Sequence, residues 1–166
     1  KESSAASDVY KRQDLYNSLT CGWWKIKGGA VEFNYNDLYN SATCGWWKVT
    51  GGRVDFKFSG FQNYENKWYY LKNGTVNWSY TGLVQYAGTW YYVQKGVLYW
   101  GCNGLVQHNG DWYYIENSAV NWNYTGLVQY GKSWYYVQKG FLNWNFSGDV
   151  WYNGSQYKVQ NGMMVG

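Results

Sequence analysis

Aromatic side chains at a fixed spacing are the residues of this sequence best suited to bind a ligand. Four tryptophan–tyrosine pairs follow one another at intervals of 22 residues: Trp68 with Tyr70, Trp90 with Tyr92, Trp112 with Tyr114, and Trp134 with Tyr136. Indole and phenol rings stack on apolar ligand surfaces while their polar groups form hydrogen bonds. We therefore predict that these eight residues form repeated ligand-binding sites.

The other reactive residue types are not arranged for catalysis. His108, the single histidine, takes the place that Tyr86 and Tyr130 hold in other copies, so we interpret it as a variant aromatic ring. The ten acidic residues are dispersed, and no cysteine–histidine spacing resembles a metal site. No glycine-rich phosphate loop or nucleophile elbow is present. The sequence predicts a protein that is not an enzyme and that needs no metal or cofactor.

The three cysteines indicate structural roles. Cys21 and Cys44 occupy equivalent places before Gly-Trp-Trp, and a disulfide between them would be typical of a secreted chain. Equivalent atoms of successive copies can also lie beyond the ~7 Å Cα separation that a disulfide tolerates, so a bridge and two free thiols both stay open. Cys102 takes the place of Tyr80 and Tyr124, and we predict that it packs inward as a small apolar side chain.

An internal repeat organises nearly the whole chain. A series of tryptophans begins at Trp46 and recurs every 22 residues as far as Trp134, and a glycine follows each at the same distance except where Ser118 stands. We count seven copies, of which the first is longer by one residue and the last is degenerate. A unit this short cannot bury its own apolar face, but stacked units cover one another. We predict one repeat domain over residues 14–166, and a linker or the end of an upstream region over residues 1–13.

The composition excludes several other classes of protein. Aromatic residues make up 23% of the 166 residues and charged residues 14%, and the chain contains no proline. The net charge of +4 comes from scattered basic residues, so no nucleic-acid partner is expected. No apolar stretch approaches the ~18 residues that span a bilayer, so membrane insertion is not expected. Because the chain begins at Lys1 and not at a methionine, we interpret it as a mature protein or an excised fragment.

Each copy is predicted to be built from β-strands. Residues 90–93 and 97–100 are rich in aromatic and β-branched side chains and flank a turn that contains Gly96, which is typical of a β-hairpin. Residues 105–108 are predicted to form a short third strand. No helical periodicity is present. The predicted fold is therefore all-β, an elongated solenoid of about seven β-hairpin units of 22–23 residues.

Comparison of the copies assigns a face to each side chain. The places of Leu98 and Trp100 stay apolar in the other copies, whereas the place of Tyr99 changes freely, so Leu98 and Trp100 are predicted to point inward. The place of Tyr92 is lysine in three copies, so its face is predicted to meet water. Trp90 lies on that same face, and two interpretations stay open: it packs against the adjacent unit, or it forms a ligand platform between units.

The repeated pattern resembles the choline-binding and cell-wall-binding repeats of Gram-positive surface proteins. The segment Lys67–Gly74, Lys-Trp-Tyr-Tyr-Leu-Lys-Asn-Gly, carries the resemblance, which covers about residues 21–166. The closing segment Asn161–Gly166 is also similar to the end of a hairpin in that family. The resemblance implies a solenoid of β-hairpins that attaches a secreted protein to a polymer at the bacterial cell surface.

The sequence departs from the choline-binding branch at one position of each copy. In that branch a tryptophan follows Thr-Gly and supplies one wall of an aromatic cage, whereas here Leu83, Leu105, Leu127 and, in an earlier copy, Phe61 hold its place. A quaternary ammonium needs several aromatic faces around it for a gain of about 2 kcal/mol. The departure predicts a divergent branch whose ligand is a cell-wall polymer or glycan recognised through its sugars rather than through choline.

Three functions are consistent with these observations. The one that we predict is a noncatalytic extracellular module that binds a cell-wall polymer or glycan through repeated weak sites, whose joint engagement gives avidity. The second is a protein-binding surface, such as an adhesin or a repeat domain that binds host immunoglobulin, because tryptophan- and tyrosine-rich faces also form protein hot spots. The third is a structural spacer or a self-association unit.

Overall fold

The described part of the chain consists of β-strands and the turns that connect them. The computed structural model describes residues 14–18 and 22–165, so the predictions made for residues 1–13 and for Cys21 lie outside the described residues. Within these ranges no residue is helical, and no segment forms a helix that could cross a membrane. The strands form seven copies of a three-strand unit. The predicted all-β hairpin-repeat fold is therefore confirmed.

Each copy contributes three strands, which we number β1 to β21 in chain order. The first strands (β1, β4, β7, β10, β13, β16 and β19) span Leu15–Ser18, Leu38–Ser41, Gly60–Tyr64, Gly82–Tyr86, Gly104–His108, Gly126–Tyr130 and Gly148–Tyr152. The second strands (β2, β5, β8, β11, β14, β17 and β20) span Gly22–Lys27, Gly45–Thr50, Lys67–Lys72, Thr89–Gln94, Asp111–Glu116, Ser133–Gln138 and Ser155–Gln160. The third strands (β3, β6, β9, β12, β15, β18 and β21) span Ala30–Val31, Arg53–Val54, Thr75–Val76, Val97–Leu98, Ala119–Val120, Phe141–Leu142 and Met163–Met164.

The first two strands of each copy form its main hairpin. β13 and β14 pair antiparallel over five residues, from Gly104 opposite Ile115 to His108 opposite Asp111, whereas β14 and β15 share two pairs. The turn between β13 and β14 places Asn109 and Gly110 at positive φ, which matches the twist of a tight hairpin. The strand predicted over residues 105–108 is therefore confirmed, and this Asn-Gly turn allows it to form the longest ladder of the copy.

The strand predicted over residues 97–100 is shorter in the structure, and this changes the position of one aromatic residue. β12 ends at Leu98, which is buried, and the chain then turns, so the alternation of faces along a strand does not extend to residue 100. Trp100 is 57% exposed, and its predicted inward position is wrong. The predictions for Leu98 and for the exposed Tyr99 are confirmed.

Successive copies are joined at the turn between the second and third strands. The N–H of Tyr114 donates to the carbonyl of Gly140 at 2.8 Å, and the N–H of Gly140 donates to the carbonyl of Tyr124 at 3.0 Å. The turn lies so close to the preceding copy that a Cβ on Gly140 would lie 2.8 Å from the carbonyl oxygen of Asn121. Glycine is required here because the backbones touch and because φ is +79°.

The described residues divide into two compact units. The first comprises residues 14–18, 22–79 and 95–97, and the second comprises residues 80–94 and 98–165. Each unit has its own clusters of buried aliphatic side chains, such as Leu38, Leu71 and Val76 in the first and Leu127, Val150 and Val159 in the second. The single repeat domain over residues 14–166 stays a prediction.

Candidate ligand-binding site

The tryptophan of one copy meets aromatic rings of the next copy, and we call each such place a seam site. At the last seam site, a cavity of about 170 Å³ is lined by Leu127, Trp134, Tyr152, Asn153, Tyr157 and Met164. The ring centroids of Trp134 and Tyr152 lie 5.5 Å apart, with planes inclined by 59°. Trp134, Tyr152 and Tyr157 are all partly exposed, so a ligand can reach each of the three rings.

Three strands of the last copy hold these rings against β17. Trp134 lies near the start of β17, while Tyr152, Tyr157 and Met164 lie on β19, β20 and β21. β21 pairs with β17 through Met163 opposite Tyr135, which fixes the two copies side by side. Backbone pairing thus positions the site, and the side chains do not have to order themselves around the ligand.

The same arrangement recurs at three further seam sites. Trp46 meets Tyr64 with centroids 5.6 Å apart, Trp90 meets His108 at 5.4 Å, and Trp112 meets Tyr130 at 4.7 Å. These tryptophans are partly buried by the adjacent copy and partly exposed. The two interpretations of Trp90 are therefore compatible, because one ring packs and still offers a surface.

His108 behaves as the sequence predicts. It occupies a seam site as an aromatic ring, with its centroid 6.4 Å from that of Tyr113. Burial lowers the pKa of His108, and its Nδ1 accepts a hydrogen bond from the N–H of Leu83 at 3.4 Å. Its interpretation as a variant ring is therefore confirmed.

The tyrosines that were predicted to complete the sites lie against other partners. The Tyr136 ring stacks on Phe146 with centroids 4.0 Å apart, and Tyr114 lies 4.1 Å from Tyr124 in the same way. Both partners belong to the loop that follows the third strand, which folds back over the main hairpin of its own copy. The prediction that this face meets water is wrong for Tyr136, which is 8% exposed, and for the equivalent Lys25, which is 7% exposed.

In another copy, Cys102 holds the loop position of Tyr124 and Tyr92 holds the second-strand position of Tyr114. Both pack around the buried cluster of Leu83, Ile115 and Val120, and burial raises the pKa of the Cys102 thiol. The inward packing predicted for Cys102 is confirmed. Trp68 and Tyr70 contact Phe61 within their own copy, with centroids 6.5 Å and 6.0 Å from it.

The structure therefore brings together a different set of rings from the one that the sequence predicts. Each seam tryptophan meets an aromatic ring 18 residues later at the end of a first strand, as Trp134 meets Tyr152. A signal for this partner is present in the sequence, because Tyr64, Tyr86, Tyr130 and Tyr152 keep one frame. Its meaning depends on which neighbouring strands pair. The role of the eight predicted residues in binding stays a prediction.

The leucines at the departure from the choline-binding branch are part of the core. Leu83, Leu105, Leu127 and Phe61 are all buried, and Leu127 forms one wall of the cavity at Trp134. This seam site thus combines three aromatic rings with an aliphatic wall and the thioether of Met164. Such a surface suits a ligand with an apolar face, and the amide of Asn153 at its rim offers hydrogen bonds.

Two other sequence-based expectations concern cysteine and metal chemistry. Cys44 is partly exposed, and its predicted partner Cys21 lies outside the described residues, so the pairing stays a prediction. Among the residues that the structure describes, no group of three or more histidine, cysteine, aspartate or glutamate side chains is placed to hold a metal ion.

A chain of aromatic β-hairpins that pack copy against copy belongs to the class of β-hairpin repeat proteins. Comparison with protein families identifies the repeat itself: residues 57–77, 79–98, 103–121 and 123–143 match the model of the choline-binding repeat. The chain belongs to the choline-binding repeat family. Repeats of this family form noncatalytic binding modules of cell-wall-associated proteins.

Several solved structures are similar to this chain. The choline-binding domain of Spr1274 from Streptococcus pneumoniae is 36% identical, over 52% of this chain and 95% of that domain, with a TM-score of 0.32. CbpF in complex with ipratropium is 25% identical, over 93% of this chain and 47% of CbpF, with a TM-score of 0.38. The modular Cpl-1 endolysin, complexed with a peptidoglycan analogue, is 26% identical, over 76% of this chain and 35% of the endolysin, with a TM-score of 0.35.

The two larger proteins extend well beyond the part that resembles this chain, which spans about half of CbpF and a third of the endolysin. A comparison with curated proteins found no match. The assignment to the family rests on the repeat match.

Proposed function

We propose that this chain is a noncatalytic extracellular module that attaches a secreted bacterial protein to a cell-wall polymer or glycan at the cell surface. The observation that carries the proposal is the seam cavity at Trp134, where three partly exposed rings converge on a space of about 170 Å³. Membership of the choline-binding repeat family supports a cell-wall polymer as the partner.

The shape of the seam site favours the sugar part of such a polymer over a free cation. Leu127 takes the place of one aromatic wall, which reduces the cation–π attraction for a quaternary ammonium. Stacking on Trp134 and Tyr157 does not require a charged ligand, and the Asn153 amide can hydrogen-bond a hydroxyl group. Recurrence of the seam site lets weak contacts act together on one polymer chain.

The proposal is tested by sedimenting the chain with purified Gram-positive cell walls, from strains with and without choline on their teichoic acids. We expect binding to both wall preparations and no elution by free choline. Because Trp134 and Tyr157 supply two of the three rings, the variant with Trp134→Ala and Tyr157→Ala is expected to bind at least about tenfold more weakly. Trp151→Ala is the matched control, since Trp151 is 72% exposed and lies outside the seam sites.

Two results would contradict the proposal in different ways. Unchanged wall binding by a folded Trp134→Ala, Tyr157→Ala variant would remove the seam site from the interaction. Elution by choline would assign choline as the recognised group and end the sugar-based interpretation. Capture of a serum protein in the absence of any wall binding would instead favour the host-protein function.

A further inference from the structure

A second series of aromatic residues recurs along the chain, in addition to the seam tryptophans. We call them the loop aromatics. Each lies two residues after the end of a third strand, and the six are Phe33, Phe56, Trp78, Trp100, Trp122 and Trp144. Every one of these six copies has an aromatic residue at this place. Five of the six side chains are between 45% and 64% exposed, and Trp122 is partly buried. Burial in the core therefore does not explain why the position is always aromatic.

An edge-to-face contact with the second strand of its own copy orients each loop aromatic, and Trp78 and Trp122 have a further ring contact each, with Trp46 at 5.9 Å and with Phe141 at 5.1 Å. Trp144 meets Tyr135 edge-to-face, with centroids 5.8 Å apart and planes inclined by 78°, and Trp100 meets Tyr91 at 6.5 Å and 76°. The other four rings contact the second strand of their own copies in the same geometry, at 5.5–6.1 Å and 72–88°. A ring that is held on one side and exposed elsewhere is a preorganised platform for stacking.

A fixed polar pair accompanies the platform in two copies of the second unit. The Asn121 Nδ2 donates to Oε2 of Glu116 at 2.6 Å, while its Oδ1 accepts the N–H of Asn123 at 3.0 Å. One copy later, Asn143 donates to Gln138 at 2.8 Å and accepts the N–H of Asn145 at 3.0 Å. Among the described residues no hydrogen bond occupies Oε1 of Glu116, so this oxygen can accept one from a ligand.

A cavity lies at this position in each of the two units. In the second unit, a space of about 280 Å³ is lined by residues that include Glu116, Asn121, Trp122 and Asn123. In the first unit, a space of about 370 Å³ is lined by residues that include Thr50, Asp55, Phe56 and Lys57. These two sets occupy the same places in copies three repeats apart, so the cavity recurs in at least two copies. Both volumes are near the lower end of the range for small-ligand sites.

We propose that the loop aromatics and the polar residues beside them form a second series of binding sites for neutral sugar units of a polysaccharide. An exposed indole next to a fixed carboxylate or amide matches a sugar ring, which has an apolar C–H face and pairs of hydroxyl groups at its edge. The side chains that would accept or donate these hydrogen bonds are Glu116 and Asn121, and Gln138 and Asn143. Trp78 also meets the seam tryptophan Trp46, with centroids 5.9 Å apart, whereas Trp100 and Trp144 each contact a tyrosine of the second strand of their own copy. Variants at Trp100 and Trp144 therefore test the series separately from the function proposed above.

The test measures binding of the full chain to immobilised neutral polysaccharides, a glucan, a galactan and a mannan, by biolayer interferometry. The variant with Trp100→Ala and Trp144→Ala is expected to bind its preferred polysaccharide at least about tenfold more weakly, because two platforms are removed. A second variant, with Glu116→Ala and Gln138→Ala, changes exposed side chains and is expected to weaken binding severalfold. Trp151→Ala is the matched control for an exposed tryptophan, and Trp134→Ala tests the seam site separately.

Retained binding by Trp151→Ala and Trp134→Ala, together with loss in both loop variants, would support the second series. The proposal would be overturned if only Trp134→Ala weakened binding, a result that would leave the seam-site function intact. It would also be overturned if none of the three polysaccharides bound the chain, or if Trp100 and Trp144 were needed only to capture a protein.

Discussion

At the scale of single residues, one tyrosine hydroxyl shows how a copy holds its loop in place. The hydroxyl of Tyr124 donates to the carbonyl of Leu127 at 2.8 Å, and the same bond joins Tyr35 to Leu38 at 2.8 Å. Burial, with smaller contributions from nearby tyrosines and Glu116, raises the pKa of Tyr124 to about 12. The neutral phenol is therefore favoured in the folded chain.

Tyr124→Phe is expected to lower the free energy of unfolding by about 1 kcal/mol at neutral pH, because the bond to Leu127 is lost. The difference from the unchanged chain should shrink as the pH rises from 10 to 12. In this window an unfolded tyrosine with a pKa of 10.0 loses its proton while folded Tyr124 keeps it, so the stability that Tyr124 contributes declines. Urea unfolding at a series of pH values measures both effects.

The control for this prediction is Tyr130→Phe, because Tyr130 lies exposed at the end of β16. It should change stability by a few tenths of a kcal/mol at most. A difference between Tyr124→Phe and the unchanged chain that stayed constant from neutral pH to pH 12 would show that the phenol is not shielded in the folded state.

At the scale of the elements, contact between copies depends on the turn that follows each second strand. The glycine of this turn touches the backbone of the preceding copy, at Gly52, Gly74, Gly96, Gly140 and Gly162 alike. Ser118 stands in the equivalent place at φ +70°, and its hydroxyl donates to the carbonyl of Tyr99 and accepts the N–H of Cys102. A side chain is thus tolerated there where it forms hydrogen bonds of its own.

Gly140→Ala is expected to destabilise the chain by roughly 2–4 kcal/mol, because its Cβ would lie 2.8 Å from the carbonyl oxygen of Asn121 at a φ of +79°. Gly131→Ala is the matched control, since Gly131 has a φ of +61° but no atom within 4 Å of the added Cβ. Its cost should be about 1–2 kcal/mol, from backbone strain alone. Urea midpoints of the two variants give the comparison, and equal losses would mean that the approach of the copies is not tight.

At the scale of the whole molecule, stability is spread along the repeats. Each buried cluster combines residues of neighbouring copies, as Leu105 and Val128 do in the second unit. After removal of a complete copy, the copies on either side of the deletion should therefore still be able to pack against each other. After removal of half a copy they should not.

Deletion of residues 104–125 is expected to give a folded, less stable chain. Tyr130 would then meet Trp90 in place of His108, and Tyr135 would take the place of Tyr113 beside it, so each ring is replaced by one of similar size. Deletion of residues 104–114 alone should prevent folding of the second unit, because strands and core positions fall out of frame. Far-UV circular dichroism and urea unfolding distinguish these outcomes, and equal stability of the two deletions would argue against nearest-neighbour packing.

The sequence by itself determined the number of copies, the all-β class and an aliphatic core position such as Leu98, because each depends on a pattern that recurs within 22 residues. Only the tertiary structure decided that Trp134 meets Tyr152 and lines a cavity with Tyr157 and not with Tyr136, and that Trp100 is exposed. These outcomes depend on which strands pair between copies and on where a two-residue strand ends. The close approach of backbones at the turn glycines determines both the strand pairing and the end of the strand. The alternation of side chains within one copy carries no information about that approach.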